Sequence, residues 1–482
     1  MTFSKQSAPA PCPGGYREMW RIAAPLVLSM GSFTIMQFTD RVFLSRYSSV
    51  SLQAALPAGV LAHTLVCLFQ ATAGYSGTFA AHYHGAKQPG QCVHSAIQGL
   101  WMALLSCPLI MALLPLGIWL MSLSGHSPEV FAAEKSYFAI LMLTGAVVPL
   151  NAAIGSYFTG VGRTRINLIA SIAGSVLNIL LDYLFIFGIW IFPEMGIAGA
   201  AYATALSSLV SAIIQITFLF RSDDWRAYRA DARPADGSAH TWRFWMPDGP
   251  LLRRMFRYGT PSGLQLFLDI GSISFFIMLT GRMGDLSLAA SNIAFSINHL
   301  AFAPLLGISF AASSVVGKYQ GARNTPAAVK AGNTAVRMGL IYMALIGATF
   351  LLFPRGYFKL FNPKDAAFTP DQLLDIGRQM LIMITVWGFF DSISVILMGA
   401  LKGAGDTHFI MRYMGVGSWL FFAPGAYILV KLGYGIIGLW AWFAFYVCVF
   451  AIGIWWRWRR GRWKTIRLIH HDAPPLPAGM ED

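Results

Sequence analysis

Runs of about twenty apolar residues recur along the 482-residue chain, and they limit its possible folds more than any other feature. A transmembrane helix needs about 20 predominantly apolar residues to cross the hydrocarbon core of a bilayer. About twelve such runs follow one another between residues 22 and 457, the fourth of them at 135–158. We therefore predict an all-α polytopic membrane protein with about twelve transmembrane helices.

The composition excludes a water-soluble globular protein. Hydrophobic residues make up 56% of the chain and charged residues only 12%, whereas soluble domains carry about 25% charged residues. The five cysteines show no paired spacing, so neither a disulfide framework nor a metal site is expected. No cofactor is predicted.

Lysine and arginine residues follow a pattern typical of membrane topology. The net charge is +14, and basic residues gather before the first apolar run and after the fourth, sixth, eighth, tenth and twelfth runs. By the positive-inside rule, both termini are predicted to be cytoplasmic, with the protein in the cytoplasmic (inner) membrane. The final cluster WWRWRRGRWK (455–464) fits an interfacial aromatic belt better than a nucleic-acid surface, so no nucleic-acid partner is expected.

A polar interruption at 221–257 divides the apolar runs into two sets of about six. It alternates Asp with Arg and contains no apolar run. The predicted domains are a cytoplasmic N-terminal tail (1–20), an N-terminal six-helix lobe (21–220), a cytoplasmic linker (221–257), a C-terminal six-helix lobe (258–457) and a cytoplasmic C-terminal tail (458–482).

The two sets of runs resemble each other in sequence. The interval that separates Pro25 from Pro261 also separates the turn HGAKQP (84–89) from the turn QGARNT (320–325). These matches predict an internal repeat of six spans.

A second pair of turns, GVGRT (160–164) and GAGDT (403–407), lies slightly further apart, a difference that one loop insertion would explain. Repeats of six spans insert with the same orientation, and in transporters built this way the substrate route usually lies between them. A duplicated scaffold without a transport role is the alternative.

Four carboxylates lie within the predicted spans: Asp40, Asp182, Asp269 and Asp391. An Asp at the centre of a membrane helix costs about 2.5–3.5 kcal/mol on insertion scales. We therefore expect the four to face the protein interior or a wet cavity, where they are paired, protonated or bound to an ion. Hydrogen bonding between helices is the structural alternative, but at about 0.6 kcal/mol per pair it does not balance an ionised Asp.

The N-terminal half contains the clearest arrangement of polar residues. The segment VLNILLDYLFIFG (176–188) places Asn178 and Asp182 four residues apart, on one face of a helix. Asp40 lies near the outer end of the first span, with Gln37 one turn earlier. Carboxylate and amide oxygens are hard ligands, which suit a proton site or a small cation such as Na⁺.

The C-terminal half carries Asp269 in QLFLDIGSI and Asp391 among aromatics in WGFFDSISV. Neither is the repeat-mate of Asp40, which follows Pro25 by fifteen residues, whereas Asp269 follows Pro261 by eight. Aromatic rings beside an acid can hold a flat organic cation by charge attraction and cation–π contacts. With an aromatic content of 14%, ordinary packing or lipid-facing aromatics are the alternative.

Several segments together resemble the multidrug and toxic compound extrusion (MATE) family. In the first half these are the early proline with its buried acid, the HGAKQP turn, FTGVGRTR before LNILLDYLFIFG, and GIAGAAYATA. GTPSGLQLFLD, LAASNIAFS and LKGAGDT continue the resemblance, which covers residues 20–457. It implies twelve helices in two six-helix lobes around a central cavity, and cation-coupled export of organic cations or drugs.

The resemblance also implies which residues form the sites. It assigns Asp40, Asn178, Asp182 and Thr204 to a cation site in the N-terminal lobe, and Asp269 and Asp391 to an acidic pair for Na⁺ or substrate in the C-terminal lobe. Two departures concern the coupling ion: Ser291-Asn292 stands where the family usually has His-Gln, and Arg41 follows the first acid. H⁺ and Na⁺ therefore both stay open.

The predicted function is a secondary active antiporter that exports a small organic cation or drug in exchange for H⁺ or Na⁺, as a monomer among membrane lipids. A lipid-linked oligosaccharide flippase of the same superfamily is the first alternative, but it would need a cationic cavity for pyrophosphate. An intramembrane enzyme with paired aspartates is the second. The sequence contains no His-Glu zinc motif, nucleophile elbow or Walker loop, so no enzymatic activity is predicted.

Overall fold

The computed structural model describes residues 12–123, 126–231, 245–360 and 370–469. Within these ranges the chain is helical and contains no β-strand, which confirms the predicted all-α class. Parts of the predicted tails and linker lie outside the described residues, at 1–11, 232–244 and 470–482.

The described part of the N-terminal half forms ten helices. Their bounds are α1 Tyr16–Tyr47, α2 Ser49–Gly74, α3 Ser76–Gly85, α4 Pro89–Ala112, α5 Leu114–Ser122, α6 Pro128–Leu143, α7 Val147–Gly160, α8 Thr164–Phe187, α9 Gly196–Phe220 and α10 Asp223–Asp231. Local signals explain several of these limits. Ser48 caps α2 by accepting a hydrogen bond from the Val50 N–H at 3.2 Å, and α8 ends at Gly188, whose φ of 63° is left-handed.

Over its described residues, the C-terminal half forms eight α-helices. Their bounds are α11 Gly249–Gly281, α12 Asp285–Gly321, α13 Thr325–Leu352, α14 Pro354–Leu360, α15 Pro370–Gly403, α16 Thr407–Gly415, α17 Ala423–Lys431 and α18 Gly435–Arg460. A π-helical turn at Val416–Phe422 joins α16 to α17, and a 3₁₀ turn at Arg462–Thr465 follows α18. Asp248 caps α11, because its Oδ1 accepts a hydrogen bond from the Leu251 N–H at 3.0 Å.

The predicted number of about twelve spans is confirmed. Among the described residues, eleven helical segments are long and apolar enough to cross a membrane, and α6 and α7 together supply a twelfth span. These two helices meet at a bend of 46°, inside the apolar run predicted at 135–158. The chain is a multi-pass membrane protein.

The internal repeat is visible in the backbone. Lys87 and Arg323, which occupy the same position in the first pair of turns, both adopt left-handed conformations, with φ of 60° and 55°. Gly162 and Gly405, which are equivalent in the second pair, also have positive φ, at 74° and 96°. Left-handed backbone is uncommon for residues other than glycine, so its recurrence at Lys87 and Arg323 shows that these turns are equivalent.

One end of the bundle carries most of the positive charge, and we call it the basic end. It contains the starts of α1, α8 and α11 and the ends of α12 and α18, with Arg163, Arg254 and Arg457 beside them. Both α1 and α11 extend further at this end than the predicted lobe limits at residues 21 and 258. The lobe limits themselves stay predictions.

The two halves meet along α1 with α12 and along α2 with α11. The buried cores interlock as well. Met19 and Ala23 of α1 belong to a hydrophobic cluster formed mainly by the C-terminal half. Conversely, Leu468 and Ile469 are buried in a cluster of the N-terminal half. Segments near both ends of the described chain therefore tie the halves together at the basic end.

Candidate functional site

Asn178 and Asp182 lie on the face of α8 that points into the N-terminal half, as the spacing predicts. Both side chains are completely buried, at 0% exposure. Helix α8 approaches α9 closely at Gly174, where an added Cβ would meet the Ser211 hydroxyl. The two polar groups therefore lie inside packed protein and do not face lipid.

Asp40 on α1 lies near Asp182, close enough for the two carboxyl groups to interact electrostatically. A direct hydrogen bond between them would need a proton on one of them, because an ionised carboxylate can only accept. In the structure Asp40 Oδ1 and both oxygens of Asp182 have no hydrogen-bond partner, and neither does either polar atom of the Asn178 side chain. Buried polar groups normally have hydrogen-bond partners, so the partnerless atoms of this cluster are free to bind a ligand.

The oxygens of this cluster fit a proton or a small hard cation. A proton shared by the two carboxyls would remove the repulsion between them, and Na⁺ could take the carboxylate and amide oxygens as ligands. Thr204, which the family resemblance places in the site, is half-buried, and its hydroxyl donates to the Ala200 carbonyl at 3.0 Å. The Thr204 oxygen can still accept a bond or bind a cation.

Tyr137 on α6 lies near this cluster, although no sequence pattern predicts it there. Its hydroxyl is within electrostatic range of both Asp40 and Asp182, and its ring packs over Gly59 of α2. Tyrosine is frequent in hydrophobic spans, so the sequence held no specific signal for this residue.

Asp269 and Asp391 come together in the C-terminal half, on α11 and α15. Both are half-buried, and their charges are within range of each other. Oδ1 of Asp391 accepts a hydrogen bond from the Ser394 hydroxyl at 3.1 Å. The structure thus brings two acids that are distant in sequence to one place.

Lys402 is a further charged residue of this acidic pair. It lies on α15 and is within electrostatic range of Asp269. In the sequence, Lys402 is predicted only as a basic residue after the tenth span. A signal was present, since Lys402 follows Asp391 by eleven residues, which is about three helical turns on the same face.

The aromatic residues near Asp391 divide into two groups. Trp387 is buried and stacks on Trp440 with ring centroids 5.4 Å apart. It therefore packs in the core, which agrees with the alternative of ordinary packing aromatics. Tyr446 lies within electrostatic range of both acids, and its hydroxyl is 2.8 Å from that of Ser418. Ser418 belongs to the π-helical turn, and such turns are frequent at functional sites.

The fold and these acidic sites together define a polytopic membrane transporter and not an enzyme. Two apolar helical repeats enclose acidic side chains, and such acids mark ion and substrate pathways. The family model MatE matches residues 25–184 and 261–428, one match in each repeat. The chain therefore belongs to the MATE family.

Curated relatives match over nearly their whole length. A protein of Pseudomonas putida called "Probable multidrug resistance protein NorM" is 28% identical over 434 residues, which cover 88% of this chain and 90% of that protein. A protein of the same name from Bradyrhizobium diazoefficiens is 29% identical over 445 residues, covering 90% and 91%.

Solved structures share the fold. A transporter of the MOP superfamily from Pyrococcus furiosus, described as having a binding pocket of reverse polarity, superposes with a TM-score of 0.82 at 21% identity, covering 94% of this chain and 97% of that one. An outward-facing multidrug resistance MATE family transporter gives a TM-score of 0.80 at 22% identity, with the same coverage. At these identities the likeness concerns the fold.

Proposed function

We propose that this protein is a secondary active antiporter that exports organic cations or drugs across the cytoplasmic membrane in exchange for H⁺ or Na⁺. It works by alternating access, as a monomer with both termini in the cytoplasm. The observation that carries the proposal is the cluster of unpartnered buried acids in the N-terminal half. The curated relatives named as multidrug resistance proteins support the choice of substrate.

The Asp40–Asp182 pair supplies the ion coupling. Two neighbouring carboxylates repel each other, so the pair holds a proton or cation in one state and releases it in another. A driving ion can shift the transporter between two states only if it binds them with different affinity. Movement of α1 relative to α8 would change the separation of the two carboxyls and provide that difference.

Asp269, Asp391 and Lys402 favour a monovalent organic cation. With both carboxyls ionised and the lysine protonated, the three groups carry a net charge of −1, which a monocation neutralises. The oligosaccharide flippase would instead need a surplus of positive charge at the substrate site. The acidic surplus therefore opposes that alternative.

The contacts between the halves support a state closed at the basic end. Lys318 Nζ is 2.8 Å from Oε1 of Glu18, and the Tyr319 hydroxyl donates to Oε2 of Glu18 at 2.6 Å. His82 Nε2 donates to the Gly403 carbonyl at 2.8 Å. Opening the route toward the cytoplasm would require these bonds between α1, α3, α12 and α15 to break.

Reconstituted protein tests the coupling site. Asp40→Asn and Asp182→Asn remove charge but keep size, so both variants should insert and bind drug, while an imposed ion gradient no longer accelerates drug movement. One charge crossing 100 mV is worth about 2.3 kcal/mol, which corresponds to roughly a fifty-fold gradient of a monovalent drug. The variants should lose the ability to build up a gradient of this size. If both variants respond to separate H⁺ and Na⁺ gradients as wild type does, the assignment of the coupling site to Asp40 and Asp182 is wrong.

The C-terminal acids need a different readout. Asp269→Asn and Asp391→Asn should weaken equilibrium binding of a monovalent dye in detergent and slow its efflux, while membrane insertion is unchanged. Unaltered dye affinity and efflux in both variants would leave the pair with a structural role.

The topology can be tested by labelling. In a background without the native cysteines, Arg229→Cys and Lys464→Cys should be protected from an impermeant thiol reagent in intact cells and react after lysis. Labelling of either position from outside would overturn the proposed orientation.

A further inference from the structure

A carboxyl group that the proposed coupling site does not use lies inside the N-terminal half. Glu134 on α6 is 0% exposed, and its Oε1 is 2.8 Å from Nδ1 of His126. The other oxygen, Oε2, is buried and has no hydrogen-bond partner. His126 precedes α6 and 37% of its side chain is exposed, so its ring connects the buried carboxyl with the surface.

Glu134 and the coupling site lie at about the same depth. Val130 and Ile186 belong to one buried cluster near the end of the bundle opposite the basic end. Glu134 follows Val130 by four residues on α6, and Asp182 precedes Ile186 by four residues on α8. Each carboxyl is therefore one helical turn, about 6 Å, inward from this cluster.

Tyr137 lies on the same helix face as Glu134 and near the Asp40–Asp182 pair. It follows Glu134 by three residues, so the two side chains share a face of α6. Its hydroxyl is also within electrostatic range of Asp40 and Asp182. A hydroxyl can accept one proton and donate another.

Charged and titratable side chains of the surrounding helices are the other candidate partners of Glu134. The helices packed against it are α2, α4, α5 and α9, and α1 and α8 share its buried cluster. Besides Glu134, the charged or titratable residues on these helices and on α6 itself are Tyr16, Arg17, Glu18, Arg21, Asp40, Arg41, Arg46, Tyr47, His63, Cys67, Cys92, His94, Cys107, Glu129, Lys135, Tyr137, Arg165, Asp182, Tyr183 and Tyr202. Among the described residues, His126 is the titratable group that hydrogen-bonds to Glu134.

We propose that His126 and Glu134 form a proton-transfer station between water at this end of the bundle and the Asp40–Asp182 pair. An imidazole nitrogen as the direct partner of the carboxyl suits a proton, whereas Na⁺ prefers a shell of oxygens. The station rests on the proposed ion coupling and selects H⁺ as the ion.

The transfer conserves protons and moves no electrons. Nε2 of His126 takes a proton from water, and Nδ1 gives one to Glu134, which leaves the imidazole neutral. Glu134 then passes a proton to the Tyr137 oxygen, while the Tyr137 O–H proton moves to an ionised carboxyl of the Asp40–Asp182 pair. The net result is one proton carried from water to that pair, and the reverse order releases it.

Proteoliposomes with an imposed pH gradient test the station. Glu134→Gln and His126→Ala should slow both proton flux and gradient-driven drug exchange about tenfold or more, without changing drug affinity in detergent. Free imidazole in the buffer should restore the His126→Ala rates, since it can replace the missing proton carrier. Glu129→Gln, an exposed carboxyl on the same helix, serves as the matched control and should behave as wild type.

Each of the other outcomes contradicts a stated part of the proposal. Wild-type rates in Glu134→Gln, or a His126→Ala defect that imidazole does not relieve, would contradict the proposal. The His126–Glu134 pair would then only hold the segment before α6 in place. If Glu134→Gln fails to insert, the imidazole experiment on the exposed histidine still decides. A normal Asp182→Asn would instead refute the coupling site, and transport driven by Na⁺ alone would refute the station but keep the antiporter.

Discussion

At the scale of single residues, Asn178 shows the conflict between stability and function most clearly. Its amide is fully buried and neither polar atom has a partner. A buried polar group without a partner lowers stability by about 1–3 kcal/mol. Such a residue is expected where the site binds something that satisfies it.

We predict that Asn178→Leu leaves the thermal stability in detergent unchanged or higher, because it removes two unsatisfied groups at similar volume. Loss of one ligand to a charged species should weaken ion binding about tenfold to a hundredfold, and ion-driven transport should fall accordingly. Thermal unfolding and gradient-driven flux measure the two effects. Asn151→Leu is the control, since its Nδ2 donates to the Ser208 carbonyl at 2.7 Å and its loss should destabilise.

Asp248 provides a residue-scale prediction on pH. It caps α11 and also accepts a hydrogen bond from Nε2 of His94 at 3.2 Å, and that bond holds the pKa of the Asp248 carboxyl below its usual value. A lowered folded pKa means that this stabilisation is present above the unfolded pKa of about 3.9 and is lost as pH falls through the folded value.

Replacing Asp248 by Asn should therefore flatten the pH dependence of unfolding at the acidic end while keeping most of the cap. The effect is about 1 kcal/mol or less, because 38% of the side chain is exposed. Thermal unfolding between neutral and acidic pH measures it, and an identical pH profile in the variant would contradict the prediction.

At the scale of secondary structure elements, the end of the described chain holds the basic end together. Residues 462–469 form a segment that we call the C-terminal strap. The buried Gln320 donates through Nε2 to the carbonyls of Trp463, Lys464 and Ile466, at 3.4, 3.1 and 3.1 Å. Beyond them, the strap inserts Leu468 into the core of the N-terminal half.

Gln320→Ala should release the strap, since its carbonyls lose their shared donor. The expected loss is about 1–3 kcal/mol of stability, visible in thermal unfolding and as faster proteolysis within the strap. Ala at the exposed Gln53 of α2 is the matched control. Equal protease sensitivity of Gln320→Ala and wild type would show that the strap is held by its apolar residues alone.

The sequence predicted the helices and turns better than the contacts between helices. Apolar length determines spans, and left-handed turns such as those at Lys87 and Arg323 follow local rules, so the all-α class and the repeat could be predicted. The bend between α6 and α7 was not predicted, because an apolar run looks the same whether it is straight or bent.

The sites were only partly accessible from sequence, for a related reason. Spacing on one helix placed Asn178 beside Asp182, but contacts between helices depend on how each helix is rotated in the bundle. Tyr137 and Glu134 became candidates only once neighbouring helices were in place. Glu134 in particular lies before the start of the predicted fourth run, where an acid looks like an ordinary end-of-span charge.

At the scale of the whole molecule, the two repeats touch each other reciprocally. An added Cβ at Gly85 would overlap the Lys318 carbonyl, and one at Gly321 would overlap the His82 carbonyl. Gly85 and Gly321 are equivalent positions of the repeat, and so are His82 and Lys318. Reciprocal contact between equivalent positions is what a local two-fold axis produces, and parallel repeats place that axis along the membrane normal.

This contact leads to a prediction about the conformational equilibrium. Gly85→Val or Gly321→Val puts a side chain against backbone that cannot move aside locally, so the halves must separate at the basic end. Both variants should favour the state open at that end, and by symmetry their effects should be similar. Gly31→Val is the control, because an added Cβ at Gly31 in α1 meets nothing within 4 Å.

Cross-linking of Cys at positions 18 and 318 reports on the separation. Glu18 and Lys318 form a 2.8 Å ion pair across the halves in the closed state, so the double-cysteine protein should cross-link readily, in a background without the native cysteines. The yield should fall in Gly85→Val and Gly321→Val but not in Gly31→Val, and drug export should slow because the closed state is less populated. Efficient cross-linking in both valine variants would mean that the halves tolerate the added bulk without separating, and the glycine contact would then not control opening.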